Sequence, residues 1–152
     1  MDDSVPFQPI LCGSGASPRL TALQKAEVLR RAEILSQATV EELLRLAAVA
    51  KELQVSAGEV VFQEGDLSDA LYVVIEGRVE LTRGPAPVVE VATPGQAFGT
   101  YAVLTREPRY FTAKAVEDTF TLAIAADDFY DLLSHNAEML EHVFRWLVRK
   151  IV

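Results

Sequence analysis

One cysteine, Cys12, occurs in the 152 residues. No internal disulfide can form, and the count fits a reducing compartment. Histidine is nearly as scarce, with only His135 and His142. A metal centre needs three or four convergent ligands, so none is expected here. No apolar run approaches the roughly 20 residues of a bilayer span, which argues against direct membrane insertion. The start, Met1-Asp2-Asp3, lacks the basic and apolar regions of a signal peptide, so a cytoplasmic location is expected. Basic residues are outnumbered, 14 against 22 acidic, for a net charge of −8. That balance argues against nucleic acid or an anionic membrane as a partner. No Ser-His-Asp grouping or nucleophile motif stands out. Neither an enzyme nor a resident cofactor is expected.

Apolar residues make up half of the chain, enough for one domain with a real core. Residues 1–19 carry Pro6, Pro9, Gly13, Gly15 and Pro18 with no period, which predicts a flexible arm. The domain proper is expected over 20–152, with helices in 20–51, a β-roll in 52–125 and helices in 126–152. Leu20, Leu23, Ala26 and Leu29 fall at helical spacing. Thr39-Val40-Glu41-Glu42 is a capping box, and the helix after it should turn Leu43, Leu46, Ala47 and Ala50 inward.

From Gly58 the period changes to short β-branched runs separated by turn signals. Strands are expected at 59–63, 70–75, 78–82, 87–93, 110–116 and 119–124. A hairpin is expected to turn at Glu76-Gly77, and the last two strands to be joined around Glu117-Asp118. Gly84-Pro85-Ala86-Pro87 reads as a proline-restricted connection. The spacing predicts an antiparallel jelly roll or barrel. Beyond Ala125, Asp127 and Asp128 suit a helix start, and Phe129, Leu132 and Leu133 give its apolar face. Asn136 should cap a last helix over 137–152. That helix carries two apolar stripes, Leu140, Phe144, Leu147 and Ile151 beside Met139, Val143 and Trp146, too wide for one-sided packing.

The stretch from Pro94 to Ala113 carries the functional signal: Pro-Gly-Gln-Ala-Phe-Gly-Thr-Tyr-Ala-Val-Leu-Thr-Arg-Glu-Pro-Arg-Tyr-Phe-Thr-Ala. Two glycine turns allow close backbone approach to a ligand. A helical turn after Gly99 would aim free N–H groups at an anion. Arg109 is a planar, always charged fork suited to phosphate. Thr100 reads as a helix N-cap, or as a single hydrogen-bond donor. Tyr110 and Phe111, adjacent on an expected strand, should point to opposite faces. Glu64, Asp66 and Asp69 read as turn residues and not as a catalytic acid pair.

This stretch resembles the phosphate-binding cassette of cyclic nucleotide-binding domains, the family of catabolite activators and protein kinase A regulatory subunits. Phe98-Gly99, Ala102, Leu104, Pro108-Arg109 and Thr112 fall on its pattern. Residues 57–66 resemble the family's first hairpin and residues 69–79 its second, and the likeness spans about residues 35–150. The resemblance implies a mainly β fold with flanking helices: an antiparallel jelly roll, N-terminal helices and a C-terminal lid or dimer helix. It places a ligand on Phe98, Gly99, Thr100, Tyr101, Ala102, Pro108, Arg109, Tyr110, Phe111 and Thr112. It makes Leu140, Phe144, Trp146, Leu147 and Ile151 the lid or dimer residues.

The cassette departs from the pattern at two places. Thr100 stands where the family has an acidic residue that binds the ribose 2′-hydroxyl, and Tyr110 and Phe111 replace small residues. Losing a charged hydrogen-bond partner costs on the order of 1.5–3 kcal/mol, roughly 10- to 100-fold in affinity. Two readings therefore stand. One is a regulatory module that couples cyclic AMP or cyclic GMP to movement of its last helix. The other is a degenerate module that binds no nucleotide and serves dimerisation or protein interaction. Either implies a possible homodimer and an effector domain outside this chain. The ending Arg149-Lys150-Ile151-Val152, without a glycine stop, suggests a piece of a longer protein.

Overall fold

Thr21 and Thr39 each accept a bond from the backbone N–H three residues on, and Gln24 and Glu42 bond back to them. These two capping boxes start α1 (Ala22–Arg31) and α2 (Val40–Val49). The structure is a computed structural model and describes residues 20–85 and 87–151. The expected arm over 1–19 lies outside the described residues. Leu43, Leu46, Ala47 and Ala50 are buried, as the helical spacing predicts. A single 3-10 turn, Glu33–Leu35, links the two helices and buries Ile34 and Leu35.

Eight strands follow among the described residues: β1 (Lys51–Val55), β2 (Val60–Phe62), β3 (Ala70–Glu76), β4 (Val79–Thr82), β5 (Val88–Ala92), β6 (Ala97–Phe98), β7 (Thr112–Ala115) and β8 (Thr119–Ala125). They form two antiparallel sheets, ordered β1-β8-β3-β6 and β2-β7-β4-β5. The architecture is the expected jelly roll.

The hairpin expected at Glu76-Gly77 does not exist as such. β3 and β4 lie in different sheets, and so do β7 and β8. Each pair is one long arm that bends from sheet to sheet. The β7–β8 arm is the spine. It pairs with β2 and β1 on one side, through Val60↔Lys114 and Leu53↔Thr121. On the other side it pairs with β4 and β3, through Glu80↔Lys114 and Val73↔Leu122. At the bend Gly77 has φ +99°, and a Cβ there would lie 2.4 Å from Thr119 Oγ1 and 2.6 Å from the Asp118 carbonyl. Turn residues at 76–77 and 117–118 are thus real, but they mark corners. A true hairpin joins β4 to β5, across the proline-restricted connection after Thr82.

A larger apolar core joins α1, α2, α4 (Ala126–Ser134) and α5 (Ala137–Ile151) to the inner face of the β8–β3 sheet. A smaller one between the sheets holds Phe62, Val74, Val79, Leu81, Ala92, Phe98 and Ala113. Asn136 caps α5 as expected, its Oδ1 accepting from Met139 N–H at 2.9 Å. Its amide also donates to Glu42 Oε1 at 2.8 Å, so the start of α5 is tied to the capping box of α2. Burial by itself would raise the Glu42 carboxyl, but the bonds from Thr39 and Asn136 outweigh it and hold it below the usual carboxylate value. Met139 and Val143 are buried on α5 and Trp146 half-buried, whereas Leu140, Phe144 and Val148 are exposed. Among the described residues no helix is long and apolar enough to cross a membrane.

Candidate ligand cavity

Gly99 and Arg109 meet in space although ten residues separate them. Gly99 (φ +79°) precedes α3 (Thr100–Thr105), and its carbonyl accepts from Arg109 Nη1 at 2.9 Å. A Cβ on Gly99 would lie 2.7 Å from that same nitrogen. Only glycine permits this approach. Arg109 Nη2 donates to the Ala70 carbonyl. The guanidinium lies over the Phe62 ring at 4.0 Å from its centroid. Phe62, Tyr72 and Phe98 form an aromatic floor, with Tyr72 and Phe98 stacked at 5.2 Å.

The Arg109 side chain is 1% exposed. Its one ion-pair partner among the described residues is Asp69, 4.0 Å from Nη2 and itself facing solvent. Its Nε has no partner among the described residues. Burial pulls the guanidinium below its ordinary pKa, with Tyr72, Asp69 and Asp66 pulling the other way. Burial likewise pushes the Tyr72 phenol up, and Arg109 partly offsets it. The result is a cation held in a low-dielectric wall with little to neutralise it.

That wall bounds a cavity of about 620 Å³, within the usual range for ligand pockets of about 300–1,000 Å³. Phe98, Gly99, Thr100, Tyr101, Ala102, Arg109, Tyr110 and Phe111 line it, so most of the cassette converges there. Pro108 and Thr112 do not line it. Pro108 is exposed, and the Thr112 hydroxyl accepts from Glu64 N–H at 3.0 Å. Trp146 reaches the cavity from α5, the stripe residue with access to it. Leu140 and Phe144 stay on the outer side, Leu147 is partly covered, and the Ile151 side chain lies outside the described residues.

Two expectations are corrected. Gly99, and not Thr100, is the N-cap of α3. Thr100 is the first helical residue, 3% exposed, and its hydroxyl has no hydrogen-bond partner among the described residues. Tyr110 and Phe111 precede β7 in a bend and are not on a strand. Both line the cavity instead of facing opposite ways, with Tyr110 against Tyr101 at 4.9 Å between centroids. The open space remains beside them.

Several supports lie outside the cassette motif. Ser68 Oγ donates to the Glu107 carbonyl at 2.6 Å, and Tyr130 donates to the Val103 carbonyl. Arg106 covers the Tyr130 ring at 4.2 Å. The Arg109 backbone is tied to the turn, its N–H donating to the Asp66 carbonyl at 2.8 Å and its carbonyl accepting from Gly65 N–H at 2.9 Å. Glu64 accepts from Gly84 N–H. Glu64 and Asp66 hold turns with their side chains, whereas Asp69 faces solvent beside Arg109. His142 Nε2 lies 2.8 Å from the Glu33 carbonyl, and His135 ends α4. Among the described residues no group of three His, Cys, Asp or Glu could hold a metal ion.

Residues 52–136 match the family model described as cyclic nucleotide-binding domain. An uncharacterised ABC transporter ATP-binding protein of Mycobacterium tuberculosis is 35% identical over 96 residues, 59% of this chain and 29% of that one. The chain thus spans under a third of that relative. The N-terminal domain of a transcriptional regulator from Streptomyces coelicolor superposes with TM-score 0.68 at 30% identity, over 82% of this chain and 91% of that one. The regulatory domain of Toxoplasma gondii PKA, solved with cAMP, superposes with TM-score 0.70 at 26% identity, over 73% of this chain and 44% of that one.

Proposed function

The chain belongs to the cyclic nucleotide-binding domain family, a family of regulatory domains, and we propose that its cavity takes a cyclic nucleotide with the phosphate on Arg109. The observation that carries this reading is the buried guanidinium on the cavity wall, with an unpartnered Nε and an exposed carboxylate at 4.0 Å as its counter-charge. Leaving such a charge uncompensated is costly, and a phosphate oxygen entering the cavity removes the cost. The aromatic floor fixes the guanidinium plane, and the two carbonyl bonds fix its rotation. The arginine is therefore set before ligand arrives, which lowers the ordering cost of binding.

Coupling follows from Trp146. It lines the cavity and belongs to α5, so a ligand that touches it favours one position of that helix over another. The helix is held at its outer turns by weak, exposed contacts, such as Arg149 with Glu33 at 3.1 Å, which small free energies can rearrange.

Thr100 sets the affinity. Its buried hydroxyl supplies one neutral hydrogen bond where a carboxylate would supply a charged one. Thr100→Glu is expected to tighten cyclic AMP by up to about 1.5–3 kcal/mol, the usual worth of a charged hydrogen bond. Calorimetric titration of both proteins checks it. An unchanged affinity, with the variant folded, would point to Tyr110 and Phe111 as the limit, and the triple change with Tyr110→Ser and Phe111→Ala should then recover it.

A second reading, an interaction module without nucleotide, draws on the outer stripe of α5. Leu140, Phe144 and Val148 are 50%, 64% and 41% exposed, an apolar face of the kind that marks an interface. A two-fold dimer through this face is the simplest closed assembly. Phe144→Glu should dissociate it without disturbing the fold, whereas Trp146 packs on the core and is the poorer probe. Light scattering across concentrations reads the outcome; a native chain that stays monomeric at about 100 μM excludes the dimer, since even weak specific pairs show at that level.

A further inference from the structure

More arginines line the cavity than one cyclic phosphate uses. Besides Arg109, it is lined by Arg31 at the end of α1 and Arg83 just after β4. Both are exposed, so they stand at the rim while Arg109 lies in the wall. Arg31 lies beside Gly95, where an added Cβ would sit 3.6 Å from the Arg31 Cβ, an ordinary contact. The side chains of Arg31 and Arg83 have no hydrogen bond or ion pair with a described residue. The two carboxylates on the lining are engaged: Glu33 pairs with Arg149, and Glu90 is not free either. The rim therefore presents two guanidinium forks, carried by different elements, that line the same cavity. Deeper in, the Thr100 hydroxyl is buried without a partner, a donor that suits a ligand rich in acceptor oxygens.

We infer that the ligand is a nucleotide bearing two phosphate groups, one held by Arg109 in the wall and the second by Arg31 and Arg83 at the rim. This rests on the reading of Arg109 as the phosphate arginine and adds the ligand class. Guanidinium forks bind phosphate bidentately, and each is strongest where it has no competing carboxylate. The neutral Thr100 fits the same ligand, because a carboxylate in that wall would repel the negative charge added by a second phosphate. The class has two sources, a cyclic dinucleotide with separated phosphates and a nucleoside diphosphate with adjacent ones.

The test is a calorimetric titration of the full chain with cyclic AMP, cyclic di-AMP and ADP at low salt, repeated with R31Q/R83Q. At least one two-phosphate probe is expected to bind about tenfold or more tighter than cyclic AMP, the worth of a good charged contact. R31Q/R83Q is expected to weaken that probe far more than it weakens cyclic AMP. A preference for cyclic di-AMP alone assigns separated phosphates, and a preference for ADP alone assigns adjacent ones. The inference is overturned if neither probe exceeds cyclic AMP, or if the advantage survives in R31Q/R83Q. Cyclic AMP binding without that advantage leaves the Arg109 reading standing and removes only the second phosphate. No binding by any of the three removes both. Each single variant, R31Q or R83Q, should show part of the loss, which guards against a double variant that folds poorly.

Discussion

Arg109→Ala is expected to abolish most of the affinity for cyclic nucleotide. The guanidinium supplies the only buried cation on the cavity wall among the described residues, and it is oriented by the Gly99 and Ala70 carbonyls and the Phe62 ring. Removing one partner of a buried, hydrogen-bonded charge pair costs about 2–5 kcal/mol, roughly 30- to 5,000-fold in affinity. The same change leaves two carbonyls without their donor, so stability should fall by about 1–3 kcal/mol as well. Thermal unfolding of the variant separates the two effects. Arg109→Lys keeps the charge but loses the fork, and it should fall between the native chain and alanine. Equal binding by all three proteins would place the phosphate elsewhere.

The largest effect on the fold is expected from Gly77→Ala. The new Cβ would meet Thr119 Oγ1 at 2.4 Å, the Asp118 carbonyl at 2.6 Å and Thr119 Cα at 2.6 Å. Two of these are backbone atoms at the corner where both arms cross between the sheets, so no side-chain rotation relieves the contact. The position also has φ +99°, which adds backbone strain for any L side chain. Together the terms should cost about 4 kcal/mol or more, in the range that marks a named structural fault. That is a large share of the roughly 5–15 kcal/mol that keeps a domain folded. Gly58→Ala is the control. It has a similar φ of +89° but nothing within 4 Å, so only the strain of about 1 kcal/mol applies. Chemical unfolding of both variants isolates the steric part. Equal midpoints would show that the corner yields.

What could be read from the sequence was local. The box at Thr39 and Glu42, the cap at Asn136 and the inward faces of α2 and α4 follow from spacing alone. Gly99 and Arg109 also lie in one short motif, and the fold brings them into contact. The sheet-to-sheet corner at Gly77 reads as a hairpin in the sequence. A glycine turn between two apolar runs looks the same whether the chain reverses or bends, and only pairing with β7–β8, some forty residues away, decides it. β6 is two residues long and carries no period. Thr100 lost the cap to Gly99, since a positive φ at Gly99 already turns the chain into α3. Arg31 and Arg83 could not be seen as cavity residues, because α1 and β4 reach the site only through the closed roll.

The central claim is that the Arg109 cavity holds a nucleotide phosphate. Calorimetric titration of the native chain with cyclic AMP and cyclic GMP, alongside Arg109→Ala, tests it most directly. The account predicts saturable binding at one site per chain, weakened below that of a carboxylate-bearing cassette by Thr100, and lost in the variant. Absence of binding heat and of any thermal stabilisation at millimolar nucleotide, with the native chain folded, would contradict it.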